Sequence, residues 1–153
     1  MVATIQSSNF HILCQKITLY LFLLFVYILT ACTNQPQLTL YQRLGGEQVL
    51  NSTVDNLLYN IAEQPVLLAH FNGVDIDRFR ENLIIHLCDI SDGPCTYQGD
   101  SMSQIHRGMN ITAAEFDTLV TCLFAAMDEA GVAFTAQNEL VGRLAPLRKD
   151  IVL

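Results

Sequence analysis

Imidazole and thiol groups offer the most chemistry in this chain, and they are few: four histidines and five cysteines in 153 residues. One histidine, His106, stands in the stretch DSMSQIHRGMNIT, residues 100–112, four places after Met102. That spacing puts both side chains on one face of a short helix, which Arg107-Gly108 then breaks. An imidazole so placed is either an ordinary part-buried side chain or a metal ligand. Structural zinc needs about four clustered ligands, and the nearest other histidine, His86, is twenty residues back. No CxxC spacing occurs, which excludes a zinc knuckle and a covalent CxxCH haem attachment. Haem asks for less, because the porphyrin fills the equatorial iron positions and one neutral imidazole suffices as axial ligand. A solitary inward histidine among Met, Ile and Phe therefore suits haem iron better than zinc.

The thiols divide into three kinds. Cys88 and Cys95 lie seven apart across a turn and can pair in an oxidising compartment, provided their geometry allows it. Cys122 is left over. Cys32 closes an apolar run, ITLYLFLLFVYILTA, residues 17–31, which holds fifteen residues without a charge and follows Lys16. A bilayer span needs about 20 apolar residues, so this run is short for a permanent anchor and suits a signal-peptide core. Its end, Leu29-Thr30-Ala31-Cys32, resembles the bacterial lipobox, where the cysteine is acylated and the chain is cut before it. The expectation is a lipoprotein signal peptide over residues 1–31, then acylated Cys32 and a polar tether, TNQPQLT, to residue 39. The alternative is an uncleaved signal-anchor helix. Both place the remainder at the bacterial envelope, facing the periplasm or the exterior, with the membrane as partner.

From residue 32 on, the chain carries 7 Lys and Arg against 15 Asp and Glu, a balance of −8 (7 − 15). Such a surface repels a phosphate backbone, so no nucleic-acid partner is expected.

The elements that must hold His106 are helical. After Gly45-Gly46, apolar residues at Val49, Leu50, Val54, Leu57, Leu58 and Ile61 keep a 3.6-residue rhythm that Pro65 closes. A second helix follows Asp75 and Asp77, with Phe79, Leu83, Ile84, Leu87 and Ile90 on one side, and stops at SDGP. The third is the short SMSQIHR, residues 101–107. A fourth starts at Thr112 with Glu115 as a capping box and runs to Gly131, and a fifth runs from about Thr135 until Pro146 bends or finishes it. No alternating strand pattern occurs. The fold class is all-α, a small domain over residues 40–153, and a bound cofactor would add apolar area to its modest core. The polar connection 91–101 is long for a helix–helix link, which typically takes about 2 to 8 residues.

LYQRLGGEQVL (40–50), Phe71, YQGDSMSQIHRGMNIT (97–112) and LAPLRKDIV (144–152) together resemble the group I truncated haemoglobins, the two-over-two helical globins. The similarity runs from Leu40 to the C-terminus without a gap. It implies non-covalent haem b with His106 as the proximal iron ligand and Phe71 against the haem face. Tyr97, Met102, Leu119 and Leu144 fall on pocket walls, though each could equally serve as plain core.

On the distal side the chain departs from the family. Members that hold oxygen tightly place a tyrosine where this chain has Leu58, and often a glutamine where it has Leu83; the third distal position is Phe79. A slip of one residue would bring Tyr59 to the first of these. His86 falls where the family contacts the ring from the side. It is either a distal-edge group that bonds ligand or iron, or a pocket-edge residue touching the haem perimeter. His70 is expected at the surface. Asn82 occupies the usual basic position for a haem propionate, which leaves Arg78 or Arg80. The resemblance implies reversible binding of O2, NO or CO, an oxygen-binding or transport protein rather than an enzyme, with no catalytic residue assigned. Open alternatives are NO or redox handling with a reductase, sensing, weak NO dioxygenase or peroxidase activity, and a haem-free interaction module that keeps the fold.

Overall fold

The computed structural model describes residues 13, 15–22, 25 and 37–153. They fall into two units, Met1–Gln37 and Leu38–Leu153. In the first, residues 15–22 are helical and exposed. No helix among the described residues is long and apolar enough to cross a membrane. The expected acylation site at Cys32 lies outside the described residues.

The second unit is built from helices α1 (Leu40–Arg43), α2 (Gly46–Ala62), α3 (Pro65–Leu68), α4 (Ile76–Ile90), α5 (Met102–Ile105), α6 (Ala113–Glu129) and α7 (Phe134–Leu144). Two 3-10 segments, Ala69–Phe71 and Ala145–Asp150, follow α3 and α7. No strand occurs among the described residues. Helix α2 lies along α6 and against α4, while α7 packs on α6 and α4. Two helix pairs, α2 with α4 and α6 with α7, thus face each other in the expected two-over-two arrangement.

The rhythm of α2 explains its place. Leu50, Val54, Leu57 and Ile61 share one face, and all four are buried. Each such side chain contributes roughly 1.5–3 kcal/mol by leaving water. Opposite them, Ala126 and Met127 of α6 have no exposed surface, and Leu140 of α7 completes the centre. The contact between α2 and α6 is also polar: Asn56 Nδ2 donates to the Ala126 carbonyl at 3.3 Å, and Asn60 Nδ2 to the Cys122 carbonyl at 3.4 Å. Helix ends follow their caps. Asp75 accepts from the Arg78 N–H at 3.1 Å, opening α4. Thr112 and Glu115 form the expected capping box on α6.

Three details differ from the sequence expectations. Pro65 closes α2 but also opens α3 at its first turn, where a missing N–H costs nothing, and buried Leu67 anchors that turn. This extra piece carries Phe71. The third helix is shorter than SMSQIHR: α5 has four residues, and His106 is its C-cap with φ −91° and ψ 4°. The last helix stops at Leu144, just before Pro146 as expected, but an unexpected 3-10 segment continues to Asp150.

Candidate functional site

Helix α5 is too short to be stable by itself. Its start is held by the Gln104 side chain, which accepts from the Ser101 N–H at 3.0 Å and from the Ser101 hydroxyl at 2.7 Å. Its end is held by the histidine. The His106 N–H donates to the Met102 carbonyl at 3.0 Å, and the ring nitrogen Nδ1 stands 2.8 Å from that same oxygen. A carbonyl oxygen only accepts, so Nδ1 carries the proton. The nitrogen left to offer a lone pair is then Nε2, for which no protein partner occurs among the described residues. Nδ1–H bonded to a backbone carbonyl fixes both the tautomer and the ring orientation of a metal-binding imidazole. The four-residue spacing from Met102 to His106 was visible in the sequence; that the Met102 carbonyl, rather than its thioether, does the holding was not. No cluster of three or more His, Cys, Asp or Glu that could hold a metal occurs among the described residues, so the chemistry offered here is one nitrogen for a metal whose other ligands come from elsewhere.

The other expected site residues share a character. Leu58, Phe71, Phe79, Leu83, His86, Tyr97, Met102, Leu119 and Leu144 are all half-buried, as is His106. Leu58, Phe71, Leu83, Leu119 and Leu144 pack on the buried core with one side. Their apolar surface is therefore only partly covered by protein, which suits contact with a flat apolar ring. Phe71 and Phe79 meet edge to face with centroids 5.1 Å apart, so α4 and the 3-10 segment after α3 are locked together at this point.

Leu58 and Tyr59 of α2 differ in burial. Leu58 packs on the core, whereas Tyr59 is 75 % exposed. The Tyr59 side chain points away from that core, and the expected distal positions Leu58, Phe79 and Leu83 carry no polar side-chain atom.

His86 is the one buried side-chain polar atom without a partner among the described residues: its Nε2 is covered and unbonded. Burial lowers its pKa, only partly opposed by the charge of Asp89, so the ring is held neutral. It lies against Tyr97, centroids 4.9 Å apart at 64°. The Tyr97 N–H donates to the Asp89 carboxylate at 3.2 Å and its hydroxyl to the Asp100 carbonyl at 3.1 Å. Cys88 and Cys95 are joined in a disulfide, with Cα atoms 5.8 Å apart.

Two expectations about charged neighbours change. His70 is not a free surface group: Nε2 stands 3.2 Å from Glu115 Oε1, tying the segment that carries Phe71 to the start of α6. Arg80 is committed to Asp55, through Nε at 2.5 Å and Nη2 at 2.9 Å, and that guanidinium lowers the Asp55 pKa. Of the two expected arginines, Arg78, exposed in the first turn of α4, is the one without an ion pair among the described residues.

Comparison with known proteins places this geometry. The family described as bacterial-like globin matches residues 39–152. A group 1 truncated hemoglobin of Nostoc sp. (strain MUN 8820) is 31% identical over 114 residues, covering 74% of this chain and 97% of that protein. One from Tetrahymena pyriformis is 29% identical over 119 residues, covering 78% and 98%. The solved Fe(III) structure of the T. pyriformis truncated hemoglobin superposes with a TM-score of 0.72 at 28% identity, over 75% of this chain and 98% of that one. A group II truncated hemoglobin from Bacillus anthracis has a TM-score of 0.70 at 24% identity and shares the fold.

Proposed function

The chain belongs to the bacterial-like globin family, and on that premise we propose that it holds haem b through His106 and offers the opposite face of the iron to a diatomic gas, O2, NO or CO. Haem with its iron, held non-covalently, is the cofactor that membership implies. When bound, it would supply the iron to which the gas binds. The observation that carries the assignment to His106 is the Nδ1 contact with the Met102 carbonyl, which leaves Nε2 with the lone pair an axial ligand needs.

The remaining residues act by shape and by exclusion of water. Phe71 and Phe79, fixed edge to face, supply an aromatic wall, and Leu119 and Leu144 supply an aliphatic one. Arg78 is the cation best placed by elimination to meet a propionate, since Arg80 is already paired. Leu58, Phe79 and Leu83 offer no hydrogen-bond donor to a gas on the distal side. Rapid release of O2 and weak preference for O2 over CO follow from that, and they favour an O2-binding or delivery role over NO dioxygenation, which needs O2 retained until NO arrives. His86, buried against Tyr97, suits a group at the edge of the ring better than a sixth ligand.

Tethering at the bacterial envelope, through Cys32 after removal of residues 1–31, completes the proposal. The Cys88–Cys95 disulfide supports a location outside the cytoplasm, because disulfides persist in oxidising compartments. Incorporation of a labelled fatty acid into the wild type but not into Cys32→Ser is the expected result; equal labelling of both would remove the anchor. For the haem site, the purified protein should show a Soret band in ferric, ferrous and CO forms, and His106→Ala should lose it or shift it to that of a weakly ligated haem. An unchanged spectrum in that variant would move the proximal role to another residue.

A further inference from the structure

The connection 91–101 joins the helix bearing Phe79, Leu83 and His86 to the short helix bearing His106. Its position therefore bears on both sides of the proposed haem. Little apolar burial holds it there. Ser91 is buried and Cys95 and Tyr97 are half-buried, while Asp92, Pro94, Thr96 and residues 98–101 are exposed. The strongest link is covalent: Cys95 is bonded to Cys88 in the last turn of α4. The chain is drawn in so closely that a Cβ on Gly93 would come within 2.6 Å of Cys88 Sγ and 2.7 Å of its carbonyl oxygen. A Cβ on Gly99 would overlap the Tyr97 hydroxyl. Both glycines are there because the loop is folded tightly around the disulfide and the tyrosine.

One residue separates Cys95 from Tyr97, and one separates His86 from Cys88. The bond from Cys88 to Cys95 ties the chain two residues before Tyr97 to the helix that carries His86, and the two rings meet at 4.9 Å. Without it, Tyr97 would be held by its hydrogen bonds to Asp89 and Asp100, both exposed residues where water competes for the same groups. The two sulfurs differ in access: Cys88 is 1 % exposed, whereas Cys95 is half-buried. Of the two residues, Cys95 is the more open to an incoming thiolate.

We propose that the Cys88–Cys95 disulfide is a thiol-responsive clasp on the haem edge, and that its reduction by a dithiol frees the Tyr97 loop and loosens haem retention. This rests on the haem reading given above. In the step itself, one thiolate of the dithiol attacks Cys95 Sγ; the bond to Cys88 breaks, and Cys88 leaves as thiolate and takes up a proton. The second thiol of the reductant then attacks its own mixed disulfide, releasing Cys95 as a thiol. The protein gains two electrons and two protons, and the dithiol departs as a cyclic disulfide. The clasp acts through Tyr97 and His86 by positioning; it touches no iron ligand.

The test uses the full haem-loaded chain. The protein is treated with dithiothreitol, its thiols are alkylated, the reagents are removed, and haem transfer to excess apomyoglobin is timed against untreated protein. Reduction should speed transfer by about tenfold, with faster backbone hydrogen exchange concentrated in residues 91–101, and Cys95→Ser should behave as the reduced wild type without any reductant. Reoxidation before alkylation should restore slow transfer. If mass analysis shows the bond reduced while haem transfer is unchanged, the disulfide is structural only and the proposal is wrong. If native protein resists dithiothreitol until it is unfolded, the proposal is wrong as well. A chain that takes up no haem in either state instead defeats the haem reading, and the clasp falls with it.

Discussion

His106 shows how much one backbone carbonyl can decide. The Met102 oxygen accepts from both the His106 N–H and ring Nδ1, so the tautomer and the direction of the lone pair are set before any metal is present. On the proposed distal side the residues are apolar, and each can be made polar one at a time. A hydrogen bond to a polarised ligand contributes on the order of 1.5–3 kcal/mol, so Leu58→Tyr or Leu83→Gln should slow O2 release by about ten- to a hundredfold, measured by stopped flow. Off-rates that do not move in either variant would mean that these positions do not face the ligand. Glu115 carries a different prediction. The Thr112 N–H, then the Thr112 hydroxyl and His70, hold its carboxyl at about 2 instead of its ordinary 4.5. A depressed acid contributes stability that is fully present above the unfolded pKa and is lost as the pH falls through the folded one. Urea midpoints should therefore drop between about pH 4.5 and about pH 2, and Glu115→Gln, which keeps the cap geometry, should flatten that slope.

At the scale of elements, the positions that matter are the short pieces between the long helices. Helix α3 and the 3-10 turn after it deliver Phe71 to Phe79, and the His70–Glu115 pair pins that turn to α6. The connection 91–101 is held to α4 by a covalent bond whose loop is short, so its loss costs less than that of a long-range disulfide. Cys95→Ser should lower unfolding stability by about 2 kcal/mol in a denaturant titration. The contact of α2 with α6 is closed by Ala126, which has no exposed surface. Ala126→Leu has no room there and should cost about 1–3 kcal/mol, read as a lower thermal midpoint of the haem-free and haem-loaded protein alike.

For the whole molecule, the all-α class could be read from the chain because its long helices advertise themselves, while the two-over-two arrangement was implied by the resemblance to truncated haemoglobins. The stripe Leu50, Val54, Leu57 and Ile61 and the Thr112–Glu115 cap each specify one helix and stand as expected, and the helix expected after Asp75 is opened by that residue as its cap. The short pieces were harder to read. Four residues, as in α3 or α5, are too few to show a period, and Pro65 marks an end and a beginning equally well. Single-residue facts about partners were out of reach for another reason. That Arg80 turns to Asp55, that His70 meets Glu115 and that Tyr59 faces solvent depend on how helices pack, which spacing along one helix does not report. The site residues were named through the resemblance; what the fold adds is that they share a half-buried state and that the His106 ring is held through Nδ1. The central claim is that Nε2 of this ring binds iron. Low-frequency resonance Raman of the ferrous protein tests it most directly, comparing the wild type with His106→Gly before and after adding free imidazole. The iron–histidine stretch should vanish in the variant and return, altered, with imidazole; a stretch that persists unchanged in His106→Gly would contradict the account.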